Sequence, residues 1–166
     1  MRIREETAGD EAAIREVHRL AFGGDGEGRL VDRLRADGLV IVSLVAMADE
    51  EIVGHVLFSE LAIDHAGGTV DVAALAPVAV TPDWQRQGIG AALIRRGLEL
   101  CRERGVPAVV VLGDPAYYGR FSCSAALAQG IASPYAGPAF QALELTPGAL
   151  AAGGTARYPD AFRLVD

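Results

Sequence analysis

The sequence contains no lysine and no asparagine, so all fifteen of its basic residues are arginine. The chain therefore offers neither a lysine nucleophile nor the phosphate-binding lysine of a Walker A loop. Its two cysteines, Cys101 and Cys123, are too few for a disulfide framework. Neither they nor the three histidines stand in a metal-ligand spacing, so we expect no metal site.

Positive charge is also scarce, and the formal net charge is −7. Nucleic acid needs a basic surface, so DNA and RNA binding are disfavoured, whereas a cationic amine would be attracted. Apolar runs such as Leu39–Ala48 are too short to span a bilayer, and the first residues lack the apolar segment of a secretory signal. We expect a soluble, cytoplasmic protein that binds neither nucleic acid nor membrane.

The length of 166 residues fits a single domain, 1–166. Hydrophobic periodicity predicts a first strand at Arg2–Glu5 and two helices after a capping box at Thr7–Asp10. Three strand-like runs follow at 39–48, 52–63 and 70–80, with the turn of a hairpin at 49–51.

The pattern then changes to an amphipathic helix over 88–104 and a continuous β-branched strand over 108–112. Strand, glycine turn, helix and strand over 70–112 indicate a right-handed crossover between parallel strands. Beyond it we predict a short helix at 116–121, a weak strand near 125–131, a strand at 140–145 and a loose final segment. The fold class is α+β, with an antiparallel sheet that becomes parallel at the crossover.

The strongest functional signal is Gln85–Ala91, which follows a strand and opens a helix. Backbone N–H groups at a helix N-terminus have no intrahelical partner, and Gly88 and Gly90 let an oxyanion approach them closely. Arg86 adds a positive charge. The loop is not a dinucleotide fingerprint, which would require glycine at position 93, where the chain has Leu93. The alternative is a glycine-rich helix start without a ligand.

Pro77 lies in the run before this loop, which otherwise resembles a central strand. Proline has no N–H and normally avoids central strands. A bulge or a splay at this point would resolve the conflict and leave backbone groups free to bond a ligand. The alternative is an edge or kinked strand without function.

Residues Val78–Leu93 resemble the cofactor motif of the GNAT acetyltransferases. That family pattern is Gln/Arg-x-x-Gly-x-Gly/Ala, which Gln85, Gly88 and Gly90 match in register. The resemblance extends over the element order from Arg2 to about Leu145 and points to a bacterial subgroup with unassigned substrates. It implies a domain core over 2–145 and a C-terminal extension over 146–166. It implies a central mixed, mostly antiparallel sheet with a splayed pair of parallel strands and flanking helices.

The resemblance further implies that acetyl-CoA is the co-substrate, that no metal is needed, and that the acetyl group passes directly to an amine in a ternary complex. The acceptor is a small-molecule or protein amine. The implied cofactor-binding residues lie in the splayed strand, in the loop and after the crossover: Val78, Ala79, Val80, Gln85, Arg86, Gln87, Gly88, Ile89, Gly90, Ala91 and Tyr118.

Tyr118 is the implied general acid for the leaving thiolate, although the Gly-Phe that follows such a tyrosine in the family is replaced and Tyr117 is an alternative occupant. Glu27 and His55 are candidate bases, and a satisfied core histidine is the alternative for His55. Glu60 and Asp71 are strand carboxylates that fit a base or a solvated face equally. Cys123 has no histidine near it in sequence, so we expect an inert buried thiol.

The sequence is compatible with two functions. The chain is an acetyltransferase, or it is a non-enzymatic acyl-CoA-binding or sensing domain that kept the loop and lost turnover. A homodimer through the last strands is an arrangement common in such folds.

Overall fold

The computed structural model describes residues 1–165. The helices are α1 (Glu11–Phe22), α2 (Gly26–Ala36), α3 (Ile89–Glu103), α4 (Pro115–Tyr118) and α5 (Ala125–Ala128). The strands are β1 (Arg2–Glu5), β2 (Val40–Ala48), β3 (Glu51–His65), β4 (Gly68–Val80), β5 (Ala108–Leu112), β6 (Ile131–Ala132), β7 (Phe140–Glu144) and β8 (Gly154–Arg157). Short 3₁₀ helices lie at Ala8–Asp10, Pro82–Trp84, Gly119–Phe121 and Asp160–Val165. Over residues 1–165, no helix is long and apolar enough to cross a membrane.

The strands form a mixed sheet in the order β1-β2-β3-β4-β5-β7, to which β8 adds beside β3, and β6 beside β8. The pairs β1–β2, β2–β3, β3–β8 and β5–β7 are antiparallel. The pair β4–β5 is parallel, as the crossover through α3 requires. The predicted α+β class is therefore confirmed: a mostly antiparallel sheet with a parallel pair and flanking helices.

The chain divides into two compact units, the first of which comprises residues 1–59, 76–100 and the segment from Asp160 on. Its core is built from amphipathic helices. Ile14, Val17 and His18 are the buried residues of α1, and α2 buries an apolar face in the same way. In the 3₁₀ helix Ala8–Asp10, which leads into α1, the predicted capping box is present, and the Asp10 carboxylate accepts a 2.7 Å hydrogen bond from the Thr7 N–H.

Helix α3 lies very close to β3 within this unit. A Cβ on Gly54 of β3 would stand 3.1 Å from Leu93 and 3.2 Å from Ile89 of the helix. In the other direction, a Cβ on Gly97 of α3 would overlap the ring of Phe58, which is fully buried. A methyl group at Gly97 would therefore have to displace the Phe58 ring, whereas one at Gly54 would require Leu93 and Ile89 to shift by a few tenths of an ångström.

The second unit comprises residues 60–75 and 101–159. Its buried strand β5 pairs along its whole length with β7, from Ala108↔Glu144 to Leu112↔Phe140. On its other side, the parallel ladder joins Ala73 to Val109 and Ala74 to Val110. That ladder lies before Pro77 in the chain, as expected if Pro77 interrupts regular pairing.

The tail differs from the sequence prediction in two places. The weak strand near 125–131 is wrong at its start, because Ala125–Ala128 is a helix whose N-cap, Ser124, accepts a hydrogen bond from the Leu127 N–H. The final segment is not loose either. Residues Gly154–Arg157 form β8, which pairs with β3 from Ala62↔Arg157 to Asp64↔Thr155.

Gly97→Ala tests the close approach of α3 to β3. Alanine normally favours a helix by up to about 1 kcal/mol over glycine. Here we expect the free energy of unfolding to fall by roughly 1–3 kcal/mol, because the new methyl must displace the buried Phe58 ring. Urea denaturation measures the change. Gly9→Ala is the control, since a Cβ at Gly9 meets nothing within 4 Å. Equal stability of the two variants would contradict the packing described.

Candidate active site

The loop between β4 and α3 holds its backbone in an unusual conformation. Arg86 and Gly88 both have positive φ, 62° and 83°. Alternate residues in the left-handed region turn successive N–H groups toward one side and form a concavity that suits an anion. Residues 85–88 are exposed, so this side is accessible to a ligand. The loop is fixed by two side-chain bonds, from Gln85 Nε2 to the Val80 carbonyl at 2.9 Å and from Gln87 Nε2 to the Asp83 carbonyl at 3.4 Å.

Helix α3 begins immediately after this concavity. Its first backbone bond runs from the Ala92 N–H to the Gly88 carbonyl at 3.0 Å. The N–H groups of Ile89, Gly90 and Ala91 precede that bond and have no carbonyl within the helix to pair with. The helix dipole adds positive potential at the same point. Together with the Arg86 guanidinium, these groups can hold a phosphate or pyrophosphate.

The last residues of β4 lead into this loop. Ala79 is buried, whereas Val78 and Val80 on either side of it are half-buried. The strand is tied to β3 at its end by a hydrogen bond of 2.9 Å from the Thr81 N–H to the Val53 carbonyl.

A groove of about 520 Å³ lies beside the end of β4 in the first unit. It is lined by Trp84 and Leu20 and by the acidic residues Glu16, Glu50, Glu51 and Asp83, of which Glu16 is paired with Arg19 at 2.6 Å. The Arg4 guanidinium is in the groove too, but it is paired with Asp10 at 2.7 Å. The groove therefore offers an aromatic ring and an excess of negative charge, which suits a cation.

Tyr118 is the last residue of α4, in the second unit, and its side chain is buried. Its ring lies so close to Gly113 that a Cβ there would overlap it. The ring also makes an edge-to-face contact with Tyr117 at 5.0 Å between centroids. Burial raises the pKa of Tyr118 to about 12, with further contributions from Tyr117 and Cys123. The phenol is therefore protonated at neutral pH and can donate a proton or a hydrogen bond.

The remaining candidate residues predicted from the sequence differ in how far their side chains are buried. Glu27 lies in the first turn of α2 rather than before that helix, and it is half-buried. Glu60 and Asp71 are exposed. Burial raises the pKa of the Cys123 thiol to about 11, so the thiol is protonated at neutral pH, as expected for an inert cysteine. Across the residues described, no cluster of three His, Cys, Asp or Glu side chains could hold a metal ion.

Comparison with known proteins identifies the family that shares this fold and loop. A family model described as "Acetyltransferase (GNAT) domain" matches residues 2–126. The uncharacterised N-acetyltransferase YhbS of Escherichia coli K12 is 40% identical over 122 residues, which are 73% of this chain and 72% of that protein. The chain belongs to the GNAT acetyltransferase family.

Two solved GNAT structures extend the similarity over nearly the whole chain. E. coli YhbS in complex with CoA has a TM-score of 0.89 and 36% identity, and the match covers 98% of this chain and 91% of that one. A GNAT acetyltransferase from Brucella melitensis in complex with acetyl-CoA has a TM-score of 0.80 and 36% identity, with 97% of each chain covered. The predicted family and enzyme class are thus confirmed, and this chain is an acyltransferase of the N-acetyltransferase type.

The core of this GNAT domain contains a series of hydrogen-bonded polar side chains that no local sequence pattern predicts. His55 on β3 is fully buried, and its two ring nitrogens both have partners. Its Nδ1 lies 2.8 Å from His18 Nε2 on α1, and its Nε2 lies 2.8 Å from Ser43 Oγ on β2. Ser43 in turn donates to Glu6 Oε1, and Glu6 is paired with Arg35 at 2.9 Å.

The Glu6 carboxylate determines which atom donates and which accepts in every hydrogen bond of this series, the Glu6–Ser43–His55–His18 chain. An ionised carboxylate only accepts, so the single Ser43 hydroxyl proton points to Glu6. Ser43 Oγ must then accept from His55 Nε2–H. A neutral imidazole carries one N–H, so His55 Nδ1 accepts from His18 Nε2–H. It follows that His18 Nδ1 is an unprotonated acceptor.

His18 Nδ1 is buried and has no hydrogen-bond partner among the residues described. An unsatisfied buried polar atom costs about 1–3 kcal/mol. Burial also disfavours the imidazolium forms: it lowers the pKa of His18 to about 4, and it holds that of His55 well below its usual range, where the neighbouring His18 and Arg35 lower it further. Both histidines are therefore neutral at pH 7, as the direction of the bonds requires.

The depressed pKa of His18 predicts a loss of stability in mild acid. Between pH 6.5 and pH 4, the unfolded chain binds a proton at His18 that the folded protein does not, so falling pH favours unfolding. We expect the free energy of unfolding to fall by up to roughly 3 kcal/mol across this window, with His55 acting in the same direction. Urea denaturation at several pH values measures it.

The charged groups facing the histidines are Glu6 and Arg35, which His18→Leu leaves in place. In that variant the free energy of unfolding should depend less steeply on pH. His65→Gln alters the one histidine that takes no part in the hydrogen bonds between Glu6 and His18, and it should keep the slope of the parent protein. A slope unchanged in His18→Leu would show that His18 does not titrate as described.

Proposed function

We propose that this protein transfers the acetyl group of acetyl-CoA to a primary amine by direct attack in a ternary complex. The observation that carries the proposal is the concavity at residues 85–88, where the positive φ of Arg86 and Gly88 turns backbone donors toward one side at the start of α3. That arrangement suits the pyrophosphate of CoA, and the two similar structures contain CoA and acetyl-CoA.

The β4 segment Val78–Val80 supplies the second part of the donor site in this proposal. Attack on the thioester carbonyl turns its oxygen into an oxyanion, which backbone N–H groups stabilise when they already point at it. The parallel ladder between β4 and β5 is recorded for Ala73 and Ala74 and not for Val78–Val80, which supports this role, because N–H groups outside that ladder are available to a ligand. The pantetheine arm would follow the same segment toward the loop.

Tyr118 is the proposed general acid for the CoA thiolate. Its phenol is neutral, its pKa is raised to about 12, and its ring is held against Gly113 and Tyr117. A fixed, protonated hydroxyl suits donation to a sulfur that gains charge as the C–S bond breaks.

An amine acceptor agrees with the charge of the protein. The net charge is −7, and the groove beside β4 adds Trp84 and several carboxylates at one place. A protonated alkyl amine would be attracted there.

The amine must lose its proton before it attacks the thioester. An alkyl amine has a pKa near 10.4, so its deprotonation at pH 7 costs roughly 4–5 kcal/mol and a proton acceptor is required. Glu27, half-buried in the first turn of α2, remains one candidate for it.

Acetyl transfer is tested with acetyl-CoA and a panel of amines: a polyamine, an aminoglycoside, an arylalkylamine, and peptides with a free α-amine or lysine side chain. We expect release of free CoA thiol with at least one class. Gly88→Glu should abolish both transfer and CoA binding by calorimetry, because it strains a left-handed position and places a carboxylate beside phosphates.

Gly88→Ala is the matched control for Gly88→Glu. A Cβ at this position meets nothing within 4 Å, so alanine adds the backbone strain without the charge and should weaken CoA binding less. Unchanged CoA affinity in Gly88→Glu would remove the loop from the donor site. Tight CoA binding without transfer to any amine would favour a binding or sensing domain over an enzyme.

Tyr118→Phe should lower kcat by roughly tenfold or more while leaving the affinity for CoA within about twofold, since only the proton of the leaving group is lost. Steady-state rates and calorimetry on the same preparation measure both quantities. Tyr117→Phe removes the neighbouring hydroxyl and serves as the comparison. Equal rates for Tyr118→Phe and the parent protein would exclude Tyr118 as the acid.

A further inference from the structure

Gln141 is a buried polar side chain on β7, in the second unit. It lies opposite Val111 of β5 and is 1% exposed. A buried amide is costly unless it is hydrogen-bonded, so a position that needed only packing would be filled better by an apolar side chain. The neighbours of Gln141 on β7, Phe140 and Ala142, are buried residues of that apolar kind.

The Gln141 amide binds two backbone carbonyl groups at the end of β5 and the start of β7. Its Nε2 donates to the Gly113 carbonyl at 3.2 Å and to the Ala139 carbonyl at 3.4 Å. Both partners can only accept, so they determine which end of the amide is the nitrogen. The NH₂ group has two N–H donors, and each donor therefore has one carbonyl.

Gly113 follows β5 directly, and the Gln141 amide completes a backbone pair at this point. The Gly113 N–H donates to the Ala139 carbonyl at 3.0 Å. Among the residues described, no bond returns from the Ala139 N–H to the Gly113 carbonyl, and Gln141 Nε2 binds that carbonyl instead. Both polar groups of Gly113 are thus bound on the β7 side, and Gln141 helps to fix the position of Gly113.

The Tyr118 ring packs directly against Gly113. A Cβ at Gly113 would overlap this ring, so a side chain there would push the ring away. Helix α4, which carries Tyr118, has only four residues, too few to hold a side chain in place by itself. Gly113 and the N-cap residue Asp114 continue directly from β5, so the ring takes its position from the end of that strand.

Two further aromatic side chains contact the Tyr118 ring. Tyr117 makes an edge-to-face contact at 5.0 Å between centroids, and the Phe121 centroid lies at 6.2 Å. Both rings belong to the same short segment as Tyr118, whereas Gly113 belongs to the end of β5. The contact with Gly113 therefore ties the Tyr118 phenol to the sheet.

We propose that Gln141 is a positioning residue for the protonation of the leaving CoA thiolate: it fixes Gly113, and Gly113 holds the Tyr118 phenol in one place. The inference rests on the proposed function, in which Tyr118 is the acid. Proton donation requires the donor to lie within hydrogen-bond distance of the atom that gains charge, and a displacement of about 1 Å can cost roughly 10²-fold in rate.

The transfer balances without any change at Gln141. The acceptor nitrogen forms its bond to the acetyl carbon, and the C–S bond breaks with its electron pair on sulfur. The hydroxyl proton of Tyr118 passes to that sulfur. The acceptor nitrogen gives its surplus proton to water, and the Tyr118 phenolate takes a proton back from water. Gln141 keeps both N–H protons throughout and acts through the position of Tyr118.

Gln141→Met tests the inference, because methionine has a similar length and volume but no N–H donors. With the amine of the panel that gives the fastest parent rate, we expect kcat to fall by about threefold or more. The loss should not exceed that of Tyr118→Phe, and KM for acetyl-CoA should stay within about twofold.

The decisive comparison repeats Gln141→Met in the Tyr118→Phe background. There the change should lower kcat by less than about 1.5-fold, because the hydroxyl that Gln141 positions is already gone. A residue that only stabilises the fold would slow both backgrounds alike. An equal loss in the two backgrounds would therefore overturn the proposal.

Gly113→Ala displaces the ring directly and leaves Gln141 in place. It should reproduce the loss of kcat, and the loss should again disappear in the Tyr118→Phe background. Gly119→Ala is the matched control, because Gly119 is next to Tyr118 in the chain and a Cβ there meets nothing within 4 Å. It should leave kcat unchanged. If Gly113→Ala behaves like Gly119→Ala, Gly113 does not position the phenol and the proposal is excluded.

The position of the ring is also measured without any acceptor. The chain has four tyrosines, so ¹³C-labelled tyrosine gives a spectrum that can be assigned with single Tyr→Phe variants. We expect the Tyr118 ring to flip faster in Gln141→Met than in the parent protein, with the Tyr135 ring unchanged. Equal flip rates for Tyr118 would contradict the proposal.

The outcomes separate this inference from the proposed function. If the parent protein acetylates an amine and Gln141→Met shows no dependence on Tyr118, the role of Gln141 is excluded while acetyl transfer stands. If the parent protein acetylates no amine of the panel, the proposed function fails, and the role of Gln141 in it fails with it.

Discussion

The close approach of α3 to β3 is the constraint on which the rest of the site depends. Gly97 of the helix leaves no room for a methyl group against the Phe58 ring, and a methyl on Gly54 of the strand would press on Leu93 and Ile89 at 3.1–3.2 Å. The helix held this near to the sheet begins at Ile89, and the connection over 81–88 must bring the chain from the end of β4 to that point. It contains the 3₁₀ turn Pro82–Trp84 and the left-handed residues Arg86 and Gly88. Packing in the core thereby determines where backbone donors are presented at the surface.

Local patterns were sufficient to predict the elements around this connection. The helix α3 and the strand β5 show strong periodicity or β-branching, and both were placed within one residue of their observed bounds. The tail could not be predicted in the same way. Strand β8 forms because it meets β3, whose partner residues are about ninety positions earlier in the sequence, as in Asp64↔Thr155. No local sequence pattern predicts a pairing between strands so far apart in the sequence. A four-residue helix such as Ala125–Ala128 is too short to show periodicity, and its N-cap determines where it forms.

The loop before α3 and the buried polar side chains differ in the same respect. The loop Gln85–Ala91 is contiguous, so spacing and glycine content identified it. The polar chain takes Glu6 from the segment after β1, His18 from α1, Ser43 from β2 and His55 from β3, and the contact of His18 with His55 spans 37 positions. Of these four residues, only His55 was predicted as a candidate site residue, because it is a histidine in a strand. Ser43 and Glu6 are residue types that are common at such positions and carry no functional signal. The one available signal was His18 on the apolar face of α1, at the spacing of Ile14 and Val17.

The fixed direction of the polar chain has a consequence for the tautomers in the core. Because each donor must meet an acceptor, the Glu6 carboxylate sets the position of the proton on Ser43, then on His55 and finally on His18, through three hydrogen bonds. A substitution of Glu6, which reaches the surface, would therefore change which nitrogen of a fully buried histidine carries its proton.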